Sequence, residues 1–90
     1  MDTKKLESLL VAAELGSFTK AAQILGYTQS GLTHMMKALE QEMGVQLLVR
    51  SHTGISLAPA GKQLLPTIQR LLDAEKALQK ERKKKILVSI

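Results

Sequence analysis

Cysteine is absent from this chain. Disulfides and thiolate-held metals are therefore excluded, and a reducing compartment is allowed. Aromatic side chains are almost as scarce, with one Phe and one Tyr. An apolar complement drawn mostly from Leu, Ala, Ile, Val and Met favours helices over a β-sandwich or barrel. No apolar run approaches the ~18 residues that a membrane span needs. The opening Met1-Asp2-Thr3-Lys4-Lys5 leads into an amphipathic pattern rather than the unbroken apolar stretch of a signal peptide. These features read as a cytoplasmic protein. The two histidines, His34 and His52, have no clustered carboxylates beside them in the sequence, so a zinc site lacks ligands. Gly-rich phosphate loops and nucleophile motifs are also missing. Neither catalysis, nor a metal, nor a cofactor is expected.

What is present fits one small domain. A chain of 90 residues buries a modest fraction of its surface, so oligomerisation is a plausible source of stability. The net charge of +5 is unevenly spread. Residues 1–75 carry seven Lys/Arg and seven Asp/Glu, while residues 76–90 carry six and one. The excess belongs to the tail, and a case for nucleic acid must rest on the pattern of residues in the body.

Four helices and a hairpin can be read along the chain. The first helix runs from about Thr3 to Leu15, with Leu6, Leu9, Leu10 and Ala13 as its apolar stripe, Asp2 or Thr3 as cap and Gly16 as stop. Ser17 caps a short second helix whose stripe is Phe18, Ala21, Ala22 and Leu25, ended by Gly26. Two alanines among its inward positions invite close approach by a neighbour. Thr28 caps a third helix that stops at Gly44, with Leu32, Met35 or Met36, Leu39 and Met43 inward. The residues from Gln46 to Arg50 and from Ile55 to Leu57 read as strands around a turn at Ser51-His52-Thr53-Gly54. Pro59 opens a fourth helix reaching about Lys84, with Pro66 expected to kink it or delay its regular part. The run Ile86-Leu87-Val88-Ser89-Ile90 is β-type and apolar, which suggests the start of a further domain in a longer protein.

Helix, tight turn, helix is the spacing of a helix-turn-helix. Its second helix would enter the major groove of DNA with its first turn leading. Gln29 has the amide that pairs bidentately with adenine, and Thr33 offers a methyl to thymine and a hydroxyl to a base or phosphate. His34 and Lys37 continue the same face. Ser17, Thr19, Thr28 and Ser30 carry hydroxyls near helix starts, where backbone N–H groups favour phosphate. Each also has a plainer role: Ser17 and Thr28 are caps, Gln29 and Ser30 suit any first turn, and Lys37 suits any solvated face.

The order and spacing of Gly16-Ser17-Phe18-Thr19, Ala21-Ala22, Leu25, Gln29-Ser30, Leu39-Glu40, Gly44, Leu47, Arg50, Leu57 and Ala60-Gly61 resemble the N-terminal domain of LysR-type transcriptional regulators. The resemblance implies a mainly α fold: a three-helix core with a small two-stranded wing (a winged helix-turn-helix) and a long linker helix that pairs two subunits. It implies sequence-specific binding of double-stranded promoter DNA by a homodimer, with a higher oligomer open to a longer chain and no membrane partner. It makes Gln29, Ser30, Thr33 and His34 groove-facing, and it puts Arg50, His52 and Thr53 near the DNA backbone or minor groove. The chain departs from the family at Leu48 (commonly Phe), Thr53 (commonly Arg) and Ala58 (commonly Thr, a helix cap). Loss of that cap weakens the start of the linker helix by about 1 kcal/mol.

The expected division is residues 1–58 for the winged helix-turn-helix, 59–85 for the linker helix and 86–90 for the start of a truncated domain. Leu64, Leu65, Ile68, Leu71, Leu72 and Leu78 form the apolar face expected to join two subunits, although such a face can also fold back on its own body. The run Lys80-Glu81-Arg82-Lys83-Lys84-Lys85 reads as a solvated hinge, with DNA or acidic lipid as alternatives. A second reading is a helical dimerisation module whose helix-turn-helix no longer binds DNA, favoured by the missing wing Arg and the neutral body.

Overall fold

Capping residues at the expected places divide the first half of the chain into three helices, α1 (Thr3–Leu15), α2 (Phe18–Leu25) and α3 (Gln29–Met43). The computed structural model describes residues 2–89, and the surroundings of side chains as far as Lys83. Asp2 is the first cap and accepts the Lys4 N–H at 2.9 Å. The Ser17 hydroxyl accepts from Lys20 N–H at 3.2 Å, and the Thr28 hydroxyl from Gly31 N–H at 3.0 Å. Each helix ends in a left-handed glycine, at Gly16, Gly26 and Gly44.

The three helices pack on one another around Leu6, Leu9, Ala12, Ala21, Ala22, Leu32, Met36 and Leu39. Ala21 and Ala22 are buried, as their small size anticipated. Between the two methionines, Met36 is the one turned fully inward, while Met35 is half-buried. The buried face of α1 differs from the expected stripe. Leu6 and Leu9 are joined by Ser8 and Ala12, whereas Leu10 and Ala13 remain half-buried. α1 packs against both α2 and α3, and which of its sides is buried follows from the two neighbours together. Lys5 and Glu42 tie α1 to the end of α3 through a 2.7 Å ion pair. That hydrogen bond holds the Glu42 carboxyl below the usual carboxylate range.

The wing is an antiparallel pair, β1 (Leu48–Ser51) and β2 (Gly54–Leu57), in the register Leu48 to Leu57 through Ser51 to Gly54. Its turn is two residues, His52 and Thr53, tighter than the four expected. Gln46 and Leu47 fall outside the strand, and a side chain, not a neighbouring strand, takes the Leu47 N–H. One carboxylate oxygen of Glu40 accepts from both Leu47 N–H (2.6 Å) and Leu48 N–H (3.1 Å). The Leu47 side chain is fully buried. Leu48 is buried as well. At the other end of the wing, Ile55 N–H donates to the Gly16 carbonyl at 3.0 Å. A Cβ on Gly54, whose φ is +129°, would stand 2.3 Å from that same oxygen. The wing is therefore fastened to the α1–α2 corner by backbone against backbone.

The fourth helix, α4 (Pro59–Ser89), spans 31 residues, about 46 Å at 1.5 Å per residue. It continues through Pro66, where the chain lacks only the N–H that would have reached the Lys62 carbonyl. It also continues through residues 86–89, which corrects the expectation of a β-type run there. Ile90 lies outside the described residues. The helix start has no side-chain cap. Ala58 is instead buried, and its N–H donates to the Leu47 carbonyl at 2.8 Å.

The apolar face of α4 divides in two. Ile68 and Leu72 are buried in the chain's own core and so are not offered to a second subunit. Leu64 and Leu65 are half-buried, and Leu71 and Leu78 are exposed at 44% and 64%. A 2.6 Å hydrogen bond from the Thr3 hydroxyl to Glu75 fastens the helix to α1 one turn beyond Leu72. Every residue from Lys76 to Lys83 is exposed, and the molecule measures 54 × 27 × 20 Å.

Two substitutions test these anchors. Glu40→Ala leaves two buried N–H groups without an acceptor and should lower stability by roughly 2–4 kcal/mol. Glu40→Gln retains one acceptor oxygen and should recover most of it, as urea midpoints would show. A Cβ at position 61 would meet the Leu47 carbonyl at 2.4 Å. Gly61→Ala should therefore destabilise the chain by about 1–3 kcal/mol, although Ala is the better helix former; an unchanged melting temperature would contradict this packing.

Candidate nucleic-acid interface

The buried stripe of α3 determines what its other side presents. With Leu32, Met36 and Leu39 inward, the helical period turns Gln29, Ser30, His34 and Lys37 to solvent and leaves Thr33 half-buried. Arg50 of β1 completes a shallow cleft with these five residues. A second cleft, across Arg50, runs from Ser17 and Lys20 at the start of α2 to Ser51, His52 and Thr53 at the tip of the wing, and Gln29 lines both.

A chain of side-chain contacts links the elements. The Thr19 hydroxyl on α2 donates to Gln29 Oε1 at 3.1 Å. The Thr33 hydroxyl donates to the Gln29 carbonyl at 3.0 Å and accepts from Arg50 Nη2 at 3.3 Å. The Arg50 guanidinium lies over the Phe18 ring, 4.7 Å from its centroid. A cation above an aromatic face is worth about 0.5–1 kcal/mol at an exposed site. Planar stacking with a fork of donors suits Arg and not Lys.

Several sequence expectations change in detail. Thr33 was expected to offer both methyl and hydroxyl outward, but its hydroxyl is engaged on both sides, and the methyl is what remains. Arg50, which the resemblance puts near the DNA backbone or minor groove, reaches back to Thr33 of α3 and leans on Phe18. His52 and Thr53 are exposed at the hairpin turn. Ser51 and Thr53 share a 2.7 Å hydroxyl contact, and Ser51 also accepts the Thr53 N–H. Thr28 and Ser17 act as the caps they were read to be. The Arg50–Phe18 stack was not foreseen, although both residues belong to the pattern Gly16-Ser17-Phe18-Thr19 and Leu47 to Arg50.

The two clefts are lined by Lys20, Lys37, Arg50, His34 and His52, and by no carboxylate. The acids of the body lie elsewhere. Glu40 accepts from the Leu47 and Leu48 backbone, Glu42 pairs with Lys5 and Glu75 accepts from Thr3. Although the body is neutral in sum, the cations and hydroxyls that line these clefts have no carboxylate beside them in the lining. The clefts can hold anionic oxygens at their edges and present amide, hydroxyl and methyl groups between them. Among the described residues no cluster of three or more His, Asp or Glu could hold a metal ion, and no helix is long and apolar enough to cross a membrane.

Comparison with known proteins points the same way. The family described as bacterial regulatory helix-turn-helix protein, lysR family, matches residues 3–62. The chain is 40% identical over 73 residues to the HTH-type transcriptional regulator TcbR of Pseudomonas sp. (strain P51), covering 81% of this chain and 25% of TcbR. It thus spans about a quarter of that relative's length. Among solved structures it is similar to the BenM_DBD/catB site 1 DNA complex, with a TM-score of 0.86 at 30% identity over 93% of this chain and 94% of that one. It is likewise similar to the CbnR_DBD-DNA complex, with a TM-score of 0.81 at 37% identity over 91% and 95% of the two chains. The three-helix core, the wing and the long fourth helix, together with these matches, place the chain in the lysR family of bacterial regulatory helix-turn-helix proteins.

Proposed function

We propose that this chain is the DNA-reading part of a bacterial transcription regulator, and that it docks α3 in the major groove of promoter DNA as a two-fold dimer in the cytoplasm. The observation that carries the reading is the carboxylate-free cleft around α3, lined by the exposed Gln29, Ser30, His34, Lys37 and Arg50 and the half-buried Thr33 on one side of a packed three-helix core. The DNA complexes of the similar BenM and CbnR domains support it.

In this reading Gln29 and the Thr33 methyl meet base edges. Ser17, Thr19, Thr28 and Ser30 lie where helix starts meet phosphates, and Lys20, Lys37 and Arg50 supply the charge. His34 lies further along the groove face, and His52 and Thr53 form the wing tip beside the backbone or minor groove. The role is binding rather than catalysis. Residues 1–58 form the reading unit, the helix from residue 59 joins two copies, and a longer chain would continue beyond it.

For dimerisation, α4 carries Leu64, half-buried at the edge of the core, and the exposed Thr67, Leu71, Ala74 and Leu78, spaced alternately by three and four residues. That 3.5-residue period is the seam of paired helices. Burying it would remove the two exposed leucines from water, at about 1.5–3 kcal/mol for a fully covered side chain. Two reading units would then face half-sites separated by one or more turns of the duplex.

Two experiments test the proposal. Gln29→Ala should weaken binding to a duplex selected from a random pool by roughly 1–3 kcal/mol and flatten preference at one base pair, whereas Lys37→Ala should weaken all duplexes alike. Absence of any salt-dependent binding to random duplex would favour an interaction module instead. Leu71→Asp should convert a sedimenting dimer to a folded monomer, while Leu72→Ala, inside the subunit core, should lower the melting temperature. A wild-type chain that is monomeric at high concentration would remove the seam.

A further inference from the structure

Resting on Gln29 as a base reader, we infer that Thr19 is a positioning residue that determines which base Gln29 selects, and that it favours a purine. Thr19 lies in the first turn of α2 and Gln29 opens α3, so their hydrogen bond crosses the turn between the two helices. The hydroxyl donates and the amide oxygen accepts, at 3.1 Å. Both side chains are exposed, and no core packing requires the contact.

A glutamine has three rotatable bonds before its amide, and a free one loses that freedom when it meets a base. Holding it beforehand reduces what binding must overcome. The hold also has a direction. With Oε1 turned to Thr19, both protons on Nε2 are unengaged, and Oε1 retains one lone pair. The amide thus leads with its donor. In the major groove every purine offers N7 as an acceptor, and adenine adds the N6 amino group for the remaining lone pair of Oε1. Guanine adds O6 as a second acceptor for the other Nε2 proton, whereas a pyrimidine offers a single group, the N4 amino donor of cytosine or the O4 acceptor of thymine, and so gives the held amide one hydrogen bond instead of two. At its other end Gln29 is held by the Thr33 hydroxyl on its backbone carbonyl, so the residue is braced from α2 and from within α3.

A simpler role for Thr19 is to hold a phosphate. The two roles differ in what they do to sequence preference, because phosphate contacts carry no base information. The test uses a duplex selected from a random pool by the wild-type chain, together with its single-base-pair variants. Thr19→Val, Thr19→Ser, Gln29→Ala and the Thr19→Val/Gln29→Ala double variant are compared by competition binding. Thr19→Val should reduce the purine preference about fivefold or more at the same base pair that Gln29→Ala flattens. Thr19→Ser should preserve it, and Thr19→Val should change nothing further at that pair when Gln29 is already Ala. Uniform weakening by Thr19→Val with every ratio preserved would overturn the positioning role and leave Gln29 as the reader. A pyrimidine preferred on the strand Gln29 contacts would also overturn it. If Gln29→Ala itself preserved every ratio, or the wild-type chain selected no sequence, the base-reading assignment would fail, and this inference with it.

Discussion

The whole arrangement depends on the burial of one face of α3 against α1 and α2. Leu32 and Leu39 are fully buried, with Met36 nearly so, and they meet Leu6 and Leu9 across a space that Ala21 and Ala22 keep narrow. Each such leucine contributes about 1.5–3 kcal/mol. That outweighs the ~1 kcal/mol by which Gly31 disfavours the first turn of α3. The helix therefore keeps its place although its leading turn is weak, and Gln29, Ser30 and His34 stand out from the surface. The wing depends on the same packing. Glu40, one residue beyond Leu39, captures the two N–H groups that lead into β1.

Charge is organised by a related economy of space. Glu40, Glu42 and Glu75 are engaged by backbone, by Lys5 and by Thr3 and line neither cleft, whereas the cations Lys20, Lys37 and Arg50 do line them. Net charge conceals this separation because the two signs cancel over residues 1–75. A potential that steers a polyanion depends on where charges lie and only weakly on their sum. The Arg50 guanidinium, seated on Phe18 and bonded to Thr33, joins wing and helix into one surface.

Most of the helical architecture was legible in the sequence, because caps and glycine stops are local signals. Asp2, Ser17 and Thr28 begin helices, and Gly16, Gly26 and Gly44 end them, through bonds within a few residues. Long-range competition was less legible. Which side of α1 is buried depends on two partners at once, so Ser8 and Ala12 displaced Leu10 and Ala13. The six apolar residues of α4 looked like one stripe, yet Ile68 and Leu72 belong to the chain's own core. No periodicity distinguishes a face turned to the body from one turned outward. The apolar run after Lys85 read as β from its branched residues, but a helix already running extends at little further entropic loss. At the candidate interface the residues were legible and their bonds were not. Thr19 to Gln29 and Arg50 to Phe18 join elements that only the folded chain brings together.

The claim that everything else rests on is that the outward side of α3 is the surface that meets a duplex. Amide-shift mapping of the isotopically labelled chain during titration with a duplex selected from a random pool tests it most directly. The account predicts the largest changes at residues 17–20, 28–37 and 50–53, with the inner core residues Leu6, Leu9 and Leu39 nearly unmoved. Changes confined to the far end of α4, with Gln29 and Thr33 unaffected, would contradict it.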